Sequence, residues 1–73
     1  MKVYQSQDLS KPIREIITTD DDPSASMLVR YENELELIAN NEVKSFLDHM
    51  LEIGMIDEAL ANIVRMDHPR LFS

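Results

Sequence analysis

The sequence has no cysteine, no tryptophan and a single glycine, with only three prolines in 73 residues. Without cysteine there is no disulfide, no thiolate nucleophile and no cysteine-type zinc site. The same absence fits the reducing cytoplasm. One glycine, Gly54, excludes the glycine-rich loops that cradle phosphates or dinucleotides. No run of 18 apolar residues occurs and the segment MKVYQSQDLS is polar, so neither a membrane span nor a signal peptide is expected. The length allows one domain, which buries only about 60% of its unfolded surface. Close packing or association must supply the stability that a disulfide or metal gives other small folds.

What is present in excess is negative charge. The formal net charge is -7, and it is uneven. Residues 15–58 hold twelve acids against Arg30 and Lys44, while residues 1–14 and 59–73 are mildly basic. Such a belt repels nucleic-acid phosphates and anionic membranes and attracts basic protein surfaces. The plainer reading of the same charge is a solvated surface that keeps the protein soluble.

The apolar spacing predicts an all-α domain of three or four short helices, spanning residues 11–69 between an N-terminal arm or short strand (1–10) and a tail (70–73). Pro12 suits a first helical turn, and Ile13, Ile16 and Ile17 follow at i, i+3, i+4, which predicts a helix over 11–18 ended by Thr18 and Thr19. An extended reading of residues 14–19 stands beside it. Asp22 and Pro23 form a capping signal for a helix over 23–39, with Leu28, Tyr31, Leu35 and Ile38 as its stripe. On that helix Arg30 and Glu34 pair at i, i+4, while Val29 and Leu37 fall on the wrong side. The alternative is an α+β fold with a β-hairpin at 27–39 packed on two helices. Leu35, Leu37 and Ala39 do alternate, but Glu32-Asn33 is a poor two-residue turn compared with Asn-Gly.

The region 42–66 reads as a helical hairpin. Asn41 is a candidate N-cap, and Val43, Phe46, Leu47, Met50, Leu51 and Ile53 make an apolar face up to Gly54, where a left-handed residue would end the helix. Asp57 then caps a last helix over 58–66 carrying Leu60, Ile63 and Val64, with Pro69 as its outer limit. Beyond it, Leu71 and Phe72 either fray or dock.

No constellation of catalytic residues emerges. The serines lack a strained glycine-flanked turn, and acidic pairs such as Asp48 and Glu52 read as solvated helix charges. Asp48, His49 and Glu52 share one turn, but no metal or cofactor is expected from them, and His68 before Pro69 reads as an exposed end. The chain is therefore expected to be no enzyme.

Two kinds of binding fit. The first is a small acidic protein-binding regulator or inhibitor that blocks the basic, nucleic-acid-binding surface of a partner protein, by class analogy with proteins of phage and mobile elements. Its electrostatic contact would be Asp20, Asp21, Asp22, Glu32 and Glu36. Val29 and Leu37, off the helical stripe, and five methionines suggest association, so a homodimer is expected, and the apolar contact, with the partner or in that homodimer, would be Val29, Leu37 and Met55. The second is a dimeric helix-turn-helix-like transcriptional regulator using residues 42–66. Asp57 and Glu58 then stand where base edges and phosphates are met, so DNA is a poor partner for it.

Overall fold

The computed structural model describes residues 1–18 and 26–72. Four strands, β1 (Lys2–Gln5), β2 (Glu15–Thr18), β3 (Ser26–Arg30) and β4 (Leu35–Ala39), form one antiparallel sheet in the order β1-β2-β3-β4. Successive side chains on a strand point to opposite faces. Tyr4, Ile16, Thr18, Met27, Val29 and Ile38 fall on the inner face and are buried. The register places Val3 opposite Ile17, Ile17 opposite Leu28, and Leu28 opposite Leu37, so these four make one row across the outer face.

A 3-10 turn at Asn40–Glu42 leads into α1 (Val43–Glu52), and α2 (Glu58–Asp67) follows. The helices cover the inner face, α1 beside β4 and α2 beside β1. Their buried stripes, Val43 and Leu47 on α1 and Leu60, Ala61 and Val64 on α2, complete the core with Ile13 and Ile56. The smallest extent of the molecule, 17 Å, accommodates the sheet and one helix layer. No helix among the described residues is long and apolar enough to cross a membrane.

The connection between the helices forms as its local chemistry requires. Gly54 has φ +74°, the left-handed region. Its N–H donates to the Leu51 carbonyl and the Met55 N–H to the Met50 carbonyl, so the last turn of α1 is closed by a paired glycine cap. The Asp57 carboxylate accepts from the Ala59 N–H at the start of α2. Asn41 is not a cap: it lies in the 3-10 turn, and α1 begins after Glu42 without a side-chain cap. Leu71 and Phe72 dock, half-buried against the core.

The all-α expectation is overturned. The protein is a small α+β fold, and "helical" describes only residues 40–67 of it. In place of the helix over 11–18 there is irregular chain through Ile13 and then β2. In place of the helix over 23–39 there are β3 and β4, the hairpin of the alternative reading, here forming half of a larger sheet. The proposed cap at Asp22 and Pro23 lies outside the described residues. The physical reason is burial: as strands, the segment puts Met27, Val29 and Ile38 together on the inner face, whereas the helix left Val29 outside its stripe. Val29 is 0% exposed, so it is a core residue and not an interface contact. Arg30 does not pair with Glu34; its Nε donates to Glu15 Oε2 across the sheet at 2.6 Å. The Glu32-Asn33 turn closes without a positive φ at either residue, so it is neither of the turns that match strand twist best. Three buried side chains outweigh that mismatch.

Two substitutions test these roles. Gly54→Ala meets only the Lys11 ammonium, 3.9 Å from the added methyl, so its cost is that of the backbone conformation. Urea unfolding is expected to show a loss of about 1 kcal/mol. Ile16→Ala opens a cavity under the sheet and is expected to cost about 2–5 kcal/mol.

Candidate binding cleft

Strand direction brings three connections to one end of the sheet: the β1–β2 connection (residues 6–14), the β3–β4 turn (31–34) and the α1–α2 connection (53–57). Backbone bonds tie them together. The Ile13 N–H donates to the Met55 carbonyl at 3.0 Å and the Arg14 N–H to the Arg30 carbonyl at 2.8 Å. Between them lies a cleft of about 860 Å³, large enough for several side chains of a partner.

One wall is acidic: Glu32, Glu34 and Glu36 come from the turn and the start of β4. Lys11 and Arg14 line the same cleft, with Leu9, Pro12, Tyr31 and Met55 as apolar lining. Arg14 is held in place, its Nη1 donating to the carbonyls of Asp8 and Lys11. The Tyr31 hydroxyl donates to Glu36 Oε1 at 2.9 Å. Burial, and then this bond to a carboxylate, push the Tyr31 phenol up to about 12.

The opposite end of the sheet carries a polar latch. The Tyr4 hydroxyl and the Lys2 ammonium both donate to Asp67 Oδ2, at 2.9 and 2.8 Å. His68 Nε2 lies 3.1 Å from the Tyr4 hydroxyl and 3.0 Å from Thr18 Oγ1. His68 is thus no exposed end: it joins the end of α2 to β1 and β2. The hydrogen bond from Lys2, and then that from Tyr4, hold the Asp67 carboxyl below its ordinary range, while burial and Asp67 raise the Tyr4 phenol. These bonds link the end of α2 to β1 and β2, which is how a structural clamp is built.

The sequence-predicted contact residues separate into four places. Glu32, Glu36 and Met55 come together in the cleft. Val29 is in the core. Leu37 is exposed on the outer face of the sheet. Asp20, Asp21 and Asp22 lie outside the described residues. Sequence reasoning missed Leu9, Lys11, Arg14, Tyr31 and Glu34 as cleft residues. The alternation Glu32, Glu34, Glu36 was a visible signal, because a strand-and-turn reading puts alternate acids on one side. Asp48, read as a solvated charge, pairs with Arg65 and bridges the two helices.

No family model matches the chain, and no curated protein or solved structure matches it either.

The Tyr31 shift has a measurable consequence. A phenol raised in the folded state contributes stability that is present below its unfolded value near 10 and is lost as pH rises towards about 12. Tyr4 and Tyr31 are the only tyrosines and both are raised. Phenolate absorbance of the folded protein is therefore expected to develop above pH 10, with Tyr31→Phe removing the component near 12 and the associated alkaline loss of stability.

Proposed function

We propose that this chain is a small, non-enzymatic, cytoplasmic protein-binding regulator that acts by occupying a basic surface of a partner protein. The observation that supports this reading is the cleft. Its glutamate wall would meet arginine or lysine side chains, and its lining of Leu9, Tyr31 and Met55 would take their aliphatic stems. Acidic side chains beside apolar contacts give both steering and residence. A partner surface that normally holds nucleic acid has the matching charge, so binding there would act as inhibition. The acidic excess of the chain favours encounter with such a surface over long distances at low salt.

The helix-turn-helix alternative has less support. The exposed start of α2 would be the part that enters a groove, and it carries Asp57 and Glu58. Asp57 is also committed to capping that helix.

The test uses an arginine-rich peptide as a defined probe, followed by backbone amide NMR of the full chain. Shifts are expected at residues 9–14, 31–36 and 55, weakening steeply between low and about 0.5 M salt. The double substitution Glu32→Lys, Glu34→Lys is expected to weaken binding at least tenfold without changing the fold, since both residues are exposed. Shifts elsewhere, or binding unaffected by the double substitution, would remove the cleft from the proposal. Retardation of duplex DNA at low salt would favour the regulator alternative instead.

A further inference from the structure

The outer face of the sheet is apolar and balanced in charge, on a chain that is neither. Val3, Ile17, Leu28 and Leu37 form its central row, with Val3 and Leu37 50% and 65% exposed. The adjacent row is Gln5, Glu15, Arg30 and Leu35, in which Glu15 and Arg30 pair with each other and Leu35 is 58% exposed. Both helices lie on the other side, so no described helix covers these rows.

We infer that this face is where two copies of the chain meet, sheet against sheet, in a two-fold dimer whose axis runs parallel to the strands between β2 and β3. Charge selects a second copy as the occupant. Two chains of net charge -7 repel one another wherever their acidic surfaces approach. On the outer face the charges of the two rows, Glu15 and Arg30, sum to zero. The proposed axis also makes the face complementary to itself. It exchanges β1 with β4 and β2 with β3 while keeping each row level with the same row of the partner. Val3 then lies over the partner's Leu37, and Ile17 over the partner's Leu28. Glu15 lies over the partner's Arg30, and Arg30 over the partner's Glu15, so the four charges alternate in sign around a square. A basic partner finds one unpaired sign nowhere in these rows, and an acidic one likewise.

Area permits this dimer. Four strands about 4.8 Å apart and five residues of about 3.4 Å each give a face of roughly 19 by 17 Å. Two such faces have roughly 650 Å² of flat area, and side-chain relief brings the surface removed from water towards the roughly 1,000 Å² at which weak specific interfaces begin. The dimer leaves the cleft open, because the cleft is lined from the β1–β2 connection, the β3–β4 turn and Met55 on the helix side. It would therefore present two clefts, and it stands or falls independently of what they bind.

Sedimentation equilibrium of the full chain, from about 10 μM to about 1 mM, spans the range for an interface of this size. The mass is expected to rise towards twice the 8.5 kDa of one chain. Leu37→Lys and Val3→Lys alter side chains already exposed in the single chain, so each is expected to keep the circular dichroism spectrum and to weaken association at least tenfold. A chain that stays monomeric throughout, or a dimer that both variants leave intact, overturns the inference. Because the chain has no cysteine, single thiols report the geometry. A short bis-maleimide is expected to join Val3→Cys chains to Leu37→Cys chains in a mixture. Preferential joining of Leu37→Cys chains to each other would mean that two β4 edges pair in one continuous sheet, and would overturn the face-to-face arrangement.

Discussion

The contact between the inner face of the sheet and the two helices is the constraint on which the rest of this protein depends. Ile16, Met27, Val29 and Ile38 on the strands meet Val43 and Leu47 from α1 and Leu60 and Val64 from α2. A chain this small has no disulfide to substitute for that contact. Strand alternation turns the inner contact into an outer consequence: once Ile16 and Val29 face the helices, Ile17 and Leu28 must face away. A shift of one residue in any strand would exchange that strand's inner and outer side chains. The register that protects the core is therefore the same register that draws the apolar row across the outside.

The two ends of the sheet are held in different ways. At one end Lys2, Tyr4, Thr18, Asp67 and His68 form a clamp of side chains between β1, β2 and the end of α2. At the other, backbone bonds from Ile13 and Arg14 draw three connections into contact, while the cleft between them stays open. Backbone ties use no side-chain polar groups, which leaves Glu32 and Glu34 exposed at the rim. The clamped end uses its carboxylate, hydroxyls and imidazole on itself. Among the described residues, the end held by the backbone is the one that leaves a row of glutamates exposed beside a cleft.

Charge is distributed by the same architecture. The ion pairs Glu15–Arg30 and Asp48–Arg65 each join two elements, so part of the acidic excess is neutralised where the fold is assembled. The acids of the β3–β4 turn are left at the cleft. A cleft with three glutamates and two cations at one end of the sheet and a charge-balanced apolar outer face suit two different contacts, one steered by charge and one driven by burial.

The helical half of the chain was legible from the residues alone. Val43 to Ile53, Gly54 and Asp57 act through neighbours within four or five positions, and such local chemistry needs no tertiary information. The strand half was not. Its apolar runs are four or five residues long, and a run that short fits the period of a helix as well as that of a strand. Val29 and Leu37 carried the only internal warning, since a helix could not place them. The cleft was less legible still: Glu32, Glu36 and Met55 were marked for contact, but Lys11, Arg14 and Tyr31 join them only because the sheet brings three distant connections to one end. The sequence by itself determined the two helices, the turn between them and the acidic excess, because those are local or additive properties. Only the tertiary structure decided the strands, the outer row and the cleft, because strand pairing is a non-local choice, made by what the inner face can bury.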